Sequence, residues 1–261
     1  MSKAQLAEQV TDIAHRAGDA IMNIYARDFD VAKKDDKSPL TEADLAAHHI
    51  IVDGLNAISD LPVLSEESAH IAWDERREWS QYWLVDPLDG TKEFIKKNGE
   101  FTVNIALIEQ GEPVLGVVYA PALNVTYVGV VGEQAQRIQS DKTEPLKPAR
   151  HQDGETWKVV GSRSHQSPQI QSLLEQLPGE TELVAMGSSL KLCLVAEGKA
   201  HLYPRLGPTS EWDTAAAHAI VIAAGARVVE LDADKPLTQQ NTPLRYNQKE
   251  SLLNPYFLVS C

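Results

Sequence analysis

Residues Tyr82-Trp83-Leu84-Val85-Asp86-Pro87-Leu88-Asp89-Gly90-Thr91 constrain the fold more than any other stretch of the chain. A short apolar run bounded by turn signals reads as a buried strand, and Pro87 and Gly90 turn the chain where that strand emerges. Asp86 and Asp89 are left at the strand's carboxyl end, with the hydroxyl of Thr91 beside them. A turn alone explains one aspartate, because its side chain bonds its own backbone there. Two at the end of a buried strand point further: hard oxygen donors held this close attract Mg²⁺, which takes one or two carboxylates plus waters and phosphate oxygens.

Around that strand the pattern is mixed. Leu6, Val10, Ile13, Ala17, Ala20, Ile21 and Ile24 recur at spacings of three and four, which is one apolar helix face. A polar loop from Arg27 to Pro39 follows. Thr41 is the expected cap of a second amphipathic helix, with Leu45, His48, Val52 and Leu55 on one side and Asp44 three residues after the cap. A short apolar run, Leu61 to Leu64, ends at Ser65-Glu66-Glu67. Phe101 to Ile108, Val114 to Tyr119 and Val125 to Val131, separated by Gly111-Glu112-Pro113 and Ala120-Pro121, predict an antiparallel meander. The first half is therefore two helices against a sheet.

The polar stretch from Gln139 to Glu155, with Pro145 and Pro148, is the expected internal boundary, dividing an amino-terminal half over 1–138 from a carboxyl-terminal half over 157–261 within one unit. Strands are predicted at Trp157–Val160, Leu183–Met186, Ala200–Tyr203 and Arg227–Leu231. Helices are predicted at Pro168–Leu177, Leu190–Glu197 and Asp213–Ala224, the last two stopped by Gly198 and Gly225. Such alternation implies an α/β layer.

Composition narrows the function classes. In a chain of 261 residues, 43% hydrophobic residues are ample for a core, and a net charge of −13 argues against a nucleic-acid polymer as partner. An anionic substrate then depends on local cations. Cys193 and Cys261 form no CxxC pair, so neither a disulfide framework nor a zinc site is expected. The amino terminus lacks signal-peptide order and no apolar run approaches a membrane span, so the expected address is a reducing cytoplasm. The pattern specifies no oligomeric state.

Each further acid has a plain explanation. Glu66 and Glu67 are loop acids, which are usually just solvated, while Asp213 and Asp44 suit helix starts, where capping and the helix dipole favour a carboxylate. What they share is position at strand ends and helix starts, where open α/β folds gather ligands. If Glu66, Asp86, Asp89 and Asp213 converge, like charges ~4 Å apart repel by about 4 kcal/mol at an effective dielectric near 20. A cation would offset that.

Leu84-Val85-Asp86-Pro87-Leu88-Asp89-Gly90-Thr91, preceded by Ser65-Glu66-Glu67 and followed by Glu211-Trp212-Asp213-Thr214-Ala215-Ala216, resembles the inositol monophosphatase superfamily of lithium-sensitive, Mg²⁺-dependent phosphatases, nearly end to end. Thr91–Ile95, Gly99–Ala106, Gly187-Ser188-Ser189-Leu190-Lys191 and Leu202-Tyr203-Pro204-Arg205 resemble its bacterial 3′(2′),5′-bisphosphate nucleotidase branch, associated with sulfate assimilation. The resemblance implies an αβαβα layered sandwich and removal of the 3′-phosphate from adenosine 3′,5′-bisphosphate to give AMP, and from 3′-phosphoadenosine 5′-phosphosulfate alike. It implies one Mg²⁺ at Glu66, Asp86 and the Leu88 carbonyl, a second at Asp86, Asp89 and Asp213, and a third, weaker ion near Glu66. It also implies that Thr91 and Asp44 orient and deprotonate a water, with Thr91 donating to Asp44, and that amides from Gly90 onward hold phosphate oxygens. For the nucleotide, Ser162 and His165 are expected at the nucleoside, Ser188 and Ser189 at the ribose or as caps, and Lys191 and Arg205 near the 5′-phosphate, with Asp213 also at the substrate. Related nucleotidases are associated with the cytoplasmic face of the inner membrane, although no lipid anchor or basic amphipathic helix in this sequence explains that.

Two rivals stand beside this expectation. One keeps the metals but acts on inositol monophosphate or a sugar bisphosphate. The other is an inactive nucleotide- or metal-binding homologue, against which stands the retention of Asp44, Glu66, Asp86, Asp89, Thr91 and Asp213.

Overall fold

The structure is a computed structural model describing residues 2–27, 39–161, 168–232 and 234–261. It opens with α1 (Lys3–Tyr25) and α2 (Pro39–Ile58). Ser2 starts α1 with a reciprocal cap: its hydroxyl accepts from the Gln5 amide, and Gln5 Oε1 accepts from the Ser2 amide. The expected cap at Thr41 is displaced, because α2 already runs from Pro39 and Thr41 lies inside its first turn. Proline suits a first helical position, where its missing N–H costs nothing.

Nine strands or short helices carry the chain to residue 145: β1 (Val63–Ser65), α3 (Trp73–Arg76), β2 (Gln81–Asp89), α4 (Thr91–Ile95), β3 (Thr102–Glu109), β4 (Glu112–Ala120), β5 (Val125–Val130), β6 (Gln136–Gln139) and β7 (Lys142–Pro145). The seven strands form one sheet in chain order, with β1 parallel to β2 and every other pairing antiparallel. The hairpin β6–β7 occupies the start of the stretch expected to be a boundary. Its residues are mostly exposed, so edge strands there carry no apolar alternation to read.

The second half contributes β8 (Trp157–Gly161), α5 (Pro168–Leu174), β9 (Thr181–Ala185), α6 (Leu190–Ala196), β10 (Leu202–Arg205), α7 (Glu211–Ala224), β11 (Arg227–Glu230) and β12 (Phe257–Ser260). These strands form a sheet in the order β11-β12-β10-β8-β9, with β8 parallel to both neighbours and β12 antiparallel to both of its own. The strand β12, not anticipated from its four residues, is an interior strand of this sheet, between β11 and β10.

The period-two alternation of side chains builds the layers. Trp83, Val85, Val103, Ile105 and Val117 face α1 and α2, while Tyr82, Leu84, Ala106, Ile108 and Val118 face α6 and α7. On the second sheet, Val160, Tyr203 and Val259 meet that same helix layer, and Val159, Leu202 and Leu258 pack with Leu173 of α5. The order is α, β, α, β, α, the expected sandwich. Burial on both faces is why these strands read as continuous apolar runs.

Close approach fixes α7 on the first sheet. A Cβ on Gly116 would lie 2.0 Å from the Ala216 carbonyl oxygen, and one on Gly129 would lie 2.5 Å from Ile220 Cα. Among the described residues no helix is long and apolar enough to cross a membrane.

Candidate active site

Register places the first two acids side by side. β1 ends at Ser65, paired in parallel with Val85, so Glu66 emerges beside Asp86 while β2 runs on to Asp89. Glu66 opens a 3-10 turn, Glu66–Ser68, and its charge raises the pKa of the Asp86 carboxyl. Glu67 stands closer to Asp44, whose carboxyl its charge perturbs. The strand β2 is irregular between Asp86 and Asp89, which pair with Asn104 and Thr102, and Gly90 turns it sharply at φ +100° into α4. That irregularity lets both aspartates face the same corner.

The third aspartate comes from the second half of the chain. Asp213 lies in the first turn of α7, where Oδ2 accepts from the Ser210 amide at 2.8 Å. Capping and a functional role are compatible, because one oxygen caps while the other remains available. Carboxylate oxygens of Asp86, Asp89 and Asp213 all lie within 4.8 Å of one another. Supporting contacts hold α7 in place: both Glu211 oxygens accept from the Asn247 amide at 3.0 and 2.9 Å, and Thr214 Oγ1 bonds Tyr246 Oη at 3.1 Å. Buried Arg76 donates to Asn247 Oδ1 and to the carbonyls of Lys249 and Glu250, so the loop bracing α7 is itself anchored to α3.

Electrostatics mark the corner as an anion cluster. Asp86, 1% exposed, is held well above the usual carboxylate range by burial and then by the charges of Asp89, Glu66, Asp213 and Asp44. Asp213 is pushed up to about 7 by burial and by Asp89, and Asp44 to about 8 by burial, Glu67 and Glu66. Glu66 is raised by burial of its carboxyl and by Asp89 and Glu67, with the Asp86 carboxyl opposing, although the residue as a whole is exposed at the rim. The Oδ1 atom of Asp44 is buried without a hydrogen-bond partner.

A divalent cation fits these groups. All donors are hard oxygens, and Asp86 spends Oδ1 on the Leu88 amide at 3.0 Å, leaving Oδ2 to face the other acids. A point equidistant from three atoms 4.8 Å apart lies about 2.8 Å from each, so small rotations reach the roughly 2.0–2.1 Å that Mg²⁺ prefers.

Beside the acids lies a cavity of about 80 Å³, lined by Ser188, Lys191, Tyr203, Arg205, Asp89 and Asp213 among others. Burial lowers the Lys191 ammonium pKa, Asp89 opposes that, and Arg205 adds to it. The Ser188 hydroxyl is buried without a partner, and Arg205 donates from Nη2 to the Pro208 carbonyl at 3.1 Å. A larger groove of about 590 Å³ between α5 and strands β8 and β9 has Glu175 and Glu182 in its lining and, among the described residues, none of Asp86, Asp89, Asp213, Lys191 or Arg205.

Not every expectation lands at the cavity. Ser189, expected at the ribose or as a helix cap, occupies the N-cap position of α6 without a side-chain capping bond, and its buried hydroxyl is engaged by Asn104, Asp89 and Asp213. Thr91 is exposed at the start of α4, which packs against α2, and no hydrogen bond joins it to Asp44 among the described residues. Ser162 and His165 lie outside the described residues. Asn104 joins the site without having been expected there; its signal in the sequence is an amide inside the apolar run Phe101–Ile108. A bond between His48 Nδ1 and Ser65 Oγ at 2.9 Å, equally unexpected, ties α2, the carrier of Asp44, to the residue before Glu66.

Comparison with known proteins agrees with this geometry. The profile of the inositol monophosphatase family matches residues 2–256. The chain is 52% identical over 258 residues to the protein named 3′(2′),5′-bisphosphate nucleotidase CysQ of Salmonella typhimurium, covering 98% of this chain and 99% of that one. It superposes on the crystal structure of CysQ from Bacteroides thetaiotaomicron with a TM-score of 0.87 and 43% identity, over 98% of this chain and 97% of that one. Mycobacterium tuberculosis SuhB, at 23% identity and TM-score 0.71 over 98% of this chain and 90% of that one, shares the fold.

Proposed function

The chain belongs to the inositol monophosphatase family, and from that premise we propose that it is a 3′(2′),5′-bisphosphate nucleotidase, hydrolysing the 3′-phosphate of adenosine 3′,5′-bisphosphate to AMP and phosphate. The observation that carries the reading is the meeting of Asp86, Asp89 and Asp213 within 4.8 Å, beside a cavity holding two cationic side chains, in a chain 52% identical to a CysQ nucleotidase. The sulfated analogue, 3′-phosphoadenosine 5′-phosphosulfate, presents the same scissile phosphate and is a second substrate.

Glu66, Asp86 and the Leu88 carbonyl would hold one Mg²⁺, and Asp86, Asp89 and Asp213 a second, with a third ion held weakly near Glu66. Bound there, Mg²⁺ supplies charge neutralisation of the phosphate and acidification of water. The protein's own groups do the rest. Thr91 Oγ1 orients the attacking water at the rim, and Asp44, whose unpartnered Oδ1 sits in a buried, acid-rich setting, accepts its proton. The turn after Gly90 offers amides to the phosphate oxygens, since free N–H groups at such a turn favour anions. Lys191 and Arg205 hold the 5′-phosphate, with Arg205 suited to a bidentate grip. Ser188 contacts the ribose, and Ser162 and His165 the nucleoside. Lithium inhibits by competing at the cation sites.

Phosphate release measured side by side on adenosine 3′,5′-bisphosphate, inositol 1-phosphate and fructose 1,6-bisphosphate, with Mg²⁺ and with Li⁺ added, tests the reading. The bisphosphate is the preferred substrate. Preference for either of the others, or indifference to millimolar Li⁺, contradicts it.

A further inference from the structure

We propose that the Ser189 hydroxyl is a positioning group for the metal-binding carboxylates, joining Asp89, the first turn of α7 and Asn104 through one buried oxygen. The inference rests on the proposal that these carboxylates hold divalent cations.

Ser189 is 2% exposed, and its Oγ lies 2.9 Å from Asp89 Oδ2 and 2.5 Å from the Asp213 main-chain oxygen. The third partner is Asn104 of β3, 1% exposed, which donates from Nδ2 at 2.9 Å. A serine hydroxyl has one hydrogen to donate and two lone pairs. Asn104 occupies a lone pair, so the hydrogen goes to Asp89 or to the Asp213 carbonyl, and either bond points at the carboxylate corner. Donation to an ionised Asp89 is a charge-assisted bond, about twice as strong as a neutral one. It fixes the Asp89 rotamer with Oδ2 engaged and Oδ1 available for an ion. The Asp213 carbonyl is the alternative acceptor of that one hydrogen, and donation to it holds the turn that carries the third aspartate.

The loop that presents Ser189 is held from its other side. The Gly187 amide donates to Glu100 Oε2 at 2.7 Å, and a Cβ on Gly187 would stand 2.6 Å from Glu93 Cγ. Adjacent serines thereby divide the work: Ser188 lines the cavity and Ser189 braces the acids behind it. Lys191, two residues on in the first turn of α6, lines the same cavity, so the loop connects cation geometry with the substrate's other phosphate. Groups that orient ligands in this way set metal affinity, because a ligand free to rotate must be ordered when the ion binds.

Mg²⁺ affinity of the full chain, measured by titration calorimetry without nucleotide, separates this role from substrate contact. Wild type, Ser189→Ala, Ser188→Ala and Asp89→Asn are compared, with KM for adenosine 3′,5′-bisphosphate at saturating Mg²⁺ as a second readout. Ser189→Ala weakens Mg²⁺ binding by about 10-fold or more, within the range seen for groups that orient metal ligands, and changes KM less than about 2-fold. Ser188→Ala shows the reverse pattern. Should Ser189→Ala fail to fold by circular dichroism, Asn104→Ala carries the same test, because the hydroxyl then loses the donor that directs its hydrogen. Unchanged Mg²⁺ affinity in the folded variant, or a raised KM with unchanged affinity, overturns the proposal while leaving the metal site standing. Wild-type Mg²⁺ binding insensitive to Asp89→Asn overturns the metal site and this proposal with it.

Discussion

In the metal-free protein, Asp89→Asn is expected to raise stability while removing most turnover. The carboxylate oxygens of Asp86, Asp89 and Asp213 lie within 4.8 Å of one another. At that separation two unit charges repel by about 3.5 kcal/mol at an effective dielectric near 20, and Asp89 faces two such partners. Protons already relieve part of this at neutral pH, because Asp213 is pushed up to about 7 and Asp86 also lies well above its usual range. The remaining gain is about 1–3 kcal/mol, less than the pair sum because protonation substitutes for separation. An asparagine oxygen still accepts from Ser189, and its N–H group can donate to a neighbouring carboxylate. Urea denaturation in a chelator at pH 8, then in saturating Mg²⁺, measures both halves of the effect. Wild type gains about 2.7 kcal/mol at 100 times its dissociation constant, and the variant gains much less. A variant equal to or less stable than wild type in chelator refutes the view that these acids repel one another.

Two further outcomes follow from the packing. Buried His218 has its pKa pushed down to about 3 by desolvation, so the unfolded chain takes up a proton near 6.5 and the folded protein does not. Stability is therefore lost as pH falls below 6.5, by about 2 kcal/mol at pH 5, and His218→Gln removes that slope in denaturant titrations compared across pH 5–7; parallel slopes contradict it. Gly116→Ala drives a Cβ toward the Ala216 carbonyl at 2.0 Å, so thermal melting shows a loss of about 3 kcal/mol, at the upper end for overpacking; a loss under about 0.5 kcal/mol contradicts the close approach.

Legibility in the sequence followed the physics of each element. The face of α1 and the meander of β3, β4 and β5 were readable because both faces or one full stripe are buried, which imprints apolar periodicity. The hairpin β6–β7 was not, since an exposed edge imposes no such pattern. Thr41 misled because a hydroxyl followed three residues later by an acid resembles a capping box, whereas α2 starts at Pro39. Asp86 and Asp89 were visible as a pair near in sequence. That Asp213 joins them, and that Glu66 emerges beside Asp86, depends on the seating of α7 and on a parallel register, which emerge only when Gly116 and Gly129 admit the helix and β1 pairs β2. Ser189 looked like a substrate contact beside Ser188, and nothing in a Ser-Ser pair reveals which hydroxyl turns inward.

A crystal structure of the protein grown with Mn²⁺ and AMP tests the central claim most directly, because anomalous scattering locates the ions without reference to activity. Two peaks are expected within coordination distance of Asp86, one also touching Glu66 and the Leu88 carbonyl, the other touching Asp89 and Asp213. No anomalous peak beside Asp86, with ions bound elsewhere or not at all, contradicts that claim.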